Sequence, residues 1–151
     1  MKTHLLSEIE IDAPPQRVWQ VLTDLSAYPD WNPFIVRAEG RALVGSRLAL
    51  RMQPVGGRPL TLRPTVVEAT ESARFSWRGT VGIPGLLDAE HVFRITERAN
   101  GGSRLNQDEQ FQGVLVPLMA KSLRRKTLPA FVAMNEALKQ RAERIDSAIH
   151  G

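Results

Sequence analysis

From residue 34 to residue 112 the sequence alternates apolar and polar residues, and it then passes into one long stretch with helical periodicity. That succession narrows the folds open to the chain, because a single closing helix must cover the apolar face of everything before it. Within Pro117 to about Ile149, the residues Phe131, Asn135, Leu138, Ala142, Ile145 and Ile149 recur at i, i+4, i+7 and i+11. At 100° per residue they share one narrow stripe. Glu136, Lys139, Gln140, Glu143 and Arg144 take the opposite side. Pro129 lacks the amide hydrogen a helix interior needs, so a break or kink is expected near Leu128. It would separate a mobile segment at 117–128 from a firm helix beginning at Pro129.

Ahead of this helix, residues 3 to 11 alternate as a first strand with one buried face, Leu6 set against Ser7, and Ile9 and Ile11 against Glu8, Glu10 and Asp12. Asp12-Ala13-Pro14-Pro15 stops it and starts a helix, whose buried side is Val18, Val21, Leu22 and Leu25. Ser26 is placed to cap a second, very short helix that Asn32-Pro33 ends. Six further strands are expected over about 34–40, 47–53, 60–69, 73–80, 88–97 and 104–112. Gly45, Gly56-Gly57, Glu71-Ser72 and Asn100-Gly101-Gly102 supply the turns, and connections this short imply antiparallel neighbours. Pro54, Pro59 and Pro64 predict a bulge or an edge in the third and fourth strands. The result is one α+β domain over 1–151: seven antiparallel strands, two short helices after the first, and a long helix across the sheet.

Side-chain parity turns Leu48, Leu50 and Met52; Phe75, Trp77 and Gly79; His91, Phe93 and Ile95; and Leu105, Gln107, Glu109 and Phe111 toward that helix. His91 and Glu109 stand out, because a buried imidazole or carboxylate is costly without a partner. They are a structural pair satisfying each other or the backbone, a polar contact for a ligand, or an acid–base pair. Asn135 interrupts the apolar stripe of the helix and must bond the sheet or a water, or orient a ligand. Trp31, Trp77, Phe111 and Phe131 are candidate apolar walls, which in such a fold are core and cavity lining at once.

Composition closes off several classes. The chain has no cysteine, which excludes disulfides, thiolate-bound zinc and thiol chemistry. His4, His91 and His150 are too dispersed for a metal site, and no cofactor is implied. There is no P-loop, Gly-x-Ser-x-Gly elbow or dinucleotide fingerprint. A net charge of +4 fits a soluble protein, and no zinc-finger, RNP or helix-turn-helix pattern points to nucleic acid. No apolar run approaches the ~20 residues of a membrane span. With acids near the N-terminus where a signal peptide would be apolar, a cytoplasmic location is expected. Lys121, Arg124, Arg125 and Lys126 form a solvated face or a contact for an acidic headgroup or anionic membrane. Gly82 to Leu87 is a turn with tucked leucines, a lid, or a patch for a membrane or partner. The oligomeric state is open.

The run Ile11-Asp-Ala-Pro-Pro-Gln-Arg-Val-Trp-Gln-Val-Leu-Thr-Asp24, with Tyr28-Pro-Asp-Trp-Asn-Pro33 after it, resembles the START-like, polyketide cyclase/dehydrase superfamily, also called SRPBCC. Trp77-Arg-Gly79, Glu90-His-Val-Phe93, Glu109-Gln-Phe-Gln-Gly113 and the stretch Phe131 to Arg141 are similar to its later strands and closing helix. The resemblance implies the helix-grip fold of the birch-pollen allergen, a seven-stranded antiparallel sheet holding a long helix over a cavity. It implies binding or transport of a small hydrophobic ligand, a lipid, polyketide-like or aromatic. Alternatives are a cyclase or aromatase using His91 or Glu109, and an interaction domain without a ligand. Fold alone does not choose among them.

Overall fold

The computed structural model describes residues 2–150, and side chains over 2–144. Strand β1 (Lys2–Ile11) leads into helix α1 (Pro15–Thr23), a single 3-10 turn (Leu25–Ala27) and helix α2 (Tyr28–Trp31). Strands β2 (Ile35–Glu39), β3 (Ala49–Met52), β4 (Leu60–Leu62), β5 (Thr65–Thr70), β6 (Arg74–Thr80), β7 (Asp88–Glu97) and β8 (Ser103–Gln112) follow, and helix α3 (Val116–His150) closes the chain. The proline at the start of α1 contributes its fixed φ, and the Pro14 carbonyl accepts from the amides of Arg17 and Val18. Ser26 caps nothing; its hydroxyl turns back to Asp24 Oδ1 at 3.0 Å, and α2 begins after Ala27 without a side-chain cap. Asn32 does end α2, its Oδ1 accepting from the amides of Phe34 and Ile35 at 2.9 Å each.

The strands form two antiparallel sheets, ordered β1-β8-β7-β6-β5 and β2-β3-β4, eight strands where seven were expected. The extra division falls at Pro64, inside the segment expected as one strand over 60–69. Proline has no amide to give the ladder, so pairing lapses there. The register does not lapse. Leu50 faces Leu62 on one side of the gap, and Arg47 bridges Thr65 on the other, which is the same alignment continued. The amide of Leu48 donates to Pro64 O at 2.8 Å and that of Val66 to Ser46 O at 2.9 Å, so the two sheets meet as one curved surface. Gly79 makes room for the proline, since a Cβ there would meet Pro64 Cβ at 3.2 Å.

Inside the curve lie Leu5, Ile11, Leu48, Leu50, Phe75, Phe93 and Leu105, with Phe131, Met134, Leu138 and Ala142 of α3 pressed onto them, all buried. The expected stripe is the buried one from Phe131 to Ala142; Ile145 and Ile149 lie outside the residues whose side chains are described. Of the break or kink expected near Leu128, no break occurs: α3 runs through Pro129 as one helix. Pro129 is exposed, so the carbonyl it leaves unserved can turn to water. In β1, Leu6 points outward and is 67% exposed, while Leu5, Ser7, Ile9 and Ile11 take the inner face. Among the described residues no helix is long and apolar enough to cross a membrane.

Candidate functional site

Strands β7 and β8 pair in uninterrupted register, which sets His91 directly across from Glu109 and Phe93 across from Gln107. Strand β1 lies on the other side of β8, with Ser7 across from Gln107. These inward positions meet α3 at Phe131 and Asn135, and they form a chain of buried polar groups whose directions can be deduced one after another. Ser7 Oγ donates to the backbone carbonyl of Gln107 at 2.5 Å, an oxygen that can only accept. Ser7 therefore accepts from Asn135 Nδ2, at 3.0 Å, which leaves Asn135 Oδ1 to accept from Gln107 Nε2 at 2.7 Å. Gln107 Nε2 also reaches the Phe131 carbonyl at 3.4 Å, which fixes the same amide orientation independently. Gln107 Oε1 is then the acceptor for His91 Nε2, at 3.0 Å, so that ring nitrogen carries a hydrogen.

The other ring nitrogen is where the chain opens. His91 Nδ1 lies 3.5 Å from Glu109 Oε2, within ion-pair range but without hydrogen-bond geometry, and among the described residues it has no hydrogen-bond partner. A lone pair on Nδ1 facing a carboxylate would set two acceptors against each other. His91 is wholly enclosed, and Glu109 is the member that retains slight exposure, 8% of its side chain.

The aromatic residues hold the imidazole rather than leave a void around it. Trp77 stacks on His91 with ring centres 4.8 Å apart and planes at 24°; Phe93 lies at 4.8 Å and the Phe131 ring stands edge-on at 5.0 Å. Phe34 reaches Phe131 from the far side, at 5.5 Å. At the level of His91 the space expected as cavity is filled by these rings. Phe111, two residues beyond Glu109, is buried, and it lies across from Ala89 on β7 and Thr3 on β1. Trp31 is not brought to this cluster. It packs edge-on against Tyr28 at 5.2 Å, beside Gln20, Asp24 and Arg141 around a shallow hollow of about 120 Å³. An open hollow of about 640 Å³ lies on the outer face of the sheet, among Arg47, Arg78, Thr80, Glu90 and Gln110.

Packing loosens toward the start of α3. The stripe Phe131, Met134, Leu138 and Ala142 is completely buried, whereas before it Val116 is buried but Met119, Leu123 and Leu128 are only partly covered, as are Leu62 and Ala89 on the sheet. Since Gln107 meets α3 at Phe131, Glu109 and Phe111 fall beneath the turns that precede it. The loop 82–87 closes this end. Leu87 is tucked into the core, and the amides of Val114 and Leu115 donate to Gly85 O and Leu86 O at 3.1 and 3.0 Å. Gly113 permits that approach; a Cβ there would sit 2.5 Å from Leu86 O, at a φ of +134°. Ile83 stays in solvent, 68% exposed.

Gln107 and Ser7 were not singled out by the sequence. Gln107 shared the inward parity of Glu109, and that parity was the available signal; Ser7 carried none beyond its place in a strand.

With this geometry in place the comparisons are direct. A family described as polyketide cyclase / dehydrase and lipid transport matches residues 2–143. The chain belongs to that family. Among solved structures, the Zhui aromatase/cyclase from a Streptomyces species is 18% identical with a TM-score of 0.78, covering 95% of each chain. A START superfamily protein from Mycobacterium smegmatis is 20% identical with a TM-score of 0.75, covering 94% of this chain and 98% of that one. Norcoclaurine synthase from Thalictrum flavum, in complex with dopamine and hydroxybenzaldehyde, is 14% identical with a TM-score of 0.73, covering 95% of this chain and 88% of its own. At these identities the likeness is one of fold. No curated protein sequence matches the chain.

Proposed function

We propose that the protein binds a small hydrophobic molecule carrying one polar group, between the sheet and the first half of α3. Trp77, Phe111 and the partly covered Leu123 would make the apolar contact, and Glu109 would take the polar group. Phe131 and Asn135 bound the inner end, and His91 stands behind Glu109 as its positioning partner. The observation that carries this reading is the unpartnered His91 Nδ1 facing Glu109. Every other link of this chain of groups is satisfied, and its open end lies toward the turns of α3 where Met119, Leu123 and Leu128 are only partly covered. A ligand hydroxyl or carbonyl there would complete a network that is otherwise costly to leave incomplete. Family membership supports the class of ligand, a lipid or a polyketide-like or aromatic compound. Trp31 has no part in this site.

A cyclase or aromatase reaction is the second reading, favoured by the close approach of His91 Nδ1 and Glu109 Oε2, 3.5 Å apart at buried positions. Such a pair can take a proton from an enolisable carbon or give one to a carbonyl oxygen, while the apolar walls hold the chain folded for reaction.

Two probes of matched shape test the binding. Quenching of tryptophan emission is titrated with 2-naphthol and with 2-methylnaphthalene. The native protein should prefer the hydroxyl compound about tenfold. Glu109→Leu should erase the preference without losing the hydrocarbon, and Glu109→Gln should restore part of it. A protein that binds neither probe, or a preference that Glu109→Leu leaves intact, overturns the proposal.

A further inference from the structure

Four large aliphatic side chains stand in solvent at one end of the molecule: Val81 at 42% exposure, Ile83 at 68%, Val114 at 74% and Leu118 at 83%. They come from two segments, the loop after β6 and the entry to α3, that the Gly85–Val114 and Leu86–Leu115 backbone bonds tie together. Such residues scattered singly are ordinary; drawn into one tip they mark a contact surface. The neighbouring charge is of one sign. From Val114 to Asn135 the sequence contains Lys121, Arg124, Arg125 and Lys126 and no acid. Leu118, Lys121 and Arg125 are exposed and share one outward stripe of α3, at the i, i+3 and i+7 spacing of a helical face. The carboxylate within the tip, Asp88, lies on the outer face of the sheet and is engaged by the Gly85 amide at 3.0 Å and by the Thr80 hydroxyl.

We infer that this end, Ile83, Val114 and Leu118 with Lys121 and Arg125 behind them, is a docking surface for an anionic lipid bilayer. The aliphatic groups would enter the headgroup boundary while the cations remain at the level of the phosphates, the arrangement of an interfacial contact rather than a span. A bilayer accounts for both halves of the pattern at once. A soluble polyanion would use the cations and leave the aliphatic tip in water, and an apolar protein groove would use the tip and leave the cations unpaired. The inference rests on exposed residues alone and does not depend on the interior site, although docking here would set the start of α3 against the membrane.

Cosedimentation with phosphatidylcholine vesicles, with and without phosphatidylglycerol, tests it. The native protein should pellet with the anionic vesicles at low salt, be released by salt, and stay in solution with pure phosphatidylcholine. Replacing Lys121 and Arg125 by Gln should weaken partition about twentyfold. Leu118→Ser and Ile83→Ser, at positions too exposed to disturb folding, should each weaken it about tenfold with no change in charge. No pelleting with anionic vesicles at low salt overturns the inference. So does pelleting that Leu118→Ser and Ile83→Ser leave unchanged, which would reduce the contact to charge attraction.

Discussion

His91 has little freedom in this fold. Its Nε2 hydrogen is assigned by a chain that starts at two backbone carbonyls, those of Gln107 and Phe131, and its ring is stacked on Trp77. Replacing Gln107 by Leu strands His91 Nε2 and Asn135 Oδ1 together, and should cost about 2–4 kcal/mol in urea unfolding, one to two unsatisfied buried groups. A loss below half a kcal/mol would show that water serves those atoms equally well. Tyr28 gives a prediction in pH. Its hydroxyl donates to Leu22 O at 2.6 Å, and burial, with the Asp24 charge adding to it, pushes the phenol well above its ordinary value of 10.0. The folded chain keeps that proton when the unfolded chain sheds it. Stability from this group is therefore whole below about pH 10 and falls as pH rises beyond it. Tyr28→Phe should cost about 1 kcal/mol at neutral pH and flatten the alkaline limb of the stability curve. His91, Glu109 and Asn135 were legible in the sequence because parity and periodicity place polar residues where apolar ones belong. The partners were less so, since which inward polar group meets which depends on register, and register is a property of the folded sheet.

At the scale of the element, α3 has two unlike halves. From Phe131 onward it is bound to the core, and Phe131→Ala should cost about 3–5 kcal/mol, the large-to-small penalty for a fully buried ring. The half before Pro129 is held by the partly covered Met119, Leu123 and Leu128 and by the buried Val116 at its start. There Pro129→Ala would restore one backbone hydrogen bond and should slow amide exchange over 117–128, whereas unchanged exchange would mean that packing, not the proline, sets its looseness. The sequence placed this helix, and its stripe from Phe131 to Ala142, correctly; of the break or kink it expected near Leu128, the break does not occur. A proline interrupts a helix when its neighbours cannot compensate, and an exposed proline loses a bond that water can replace. Gly113 marks the joint between sheet and helix. Gly113→Ala should part the loop 82–87 from the start of α3, seen as raised protease sensitivity near Ile83.

The whole molecule is a curved antiparallel sheet closed by α3, and most of that was readable from alternation, turn residues and one helical period. The division into eight strands was not, because Pro64 removes a hydrogen bond while leaving the alignment of Arg47 with Thr65 and Leu50 with Leu62 intact. Nor was the filling of the interior at His91, since pattern gives which side chains turn inward and not the volume they leave. Family and fold agree on a sheet closed by a long helix, and the proposed ligand would lie near the start of α3, where Met119, Leu123 and Leu128 are only partly covered. Native mass spectrometry of freshly purified protein tests that most directly. A hydrophobic molecule should be carried with the native chain, or be taken up as 2-naphthol, and Glu109→Leu should take up 2-naphthol no better than 2-methylnaphthalene. A native protein that appears only at its sequence mass, and takes up neither naphthalene probe, would contradict it.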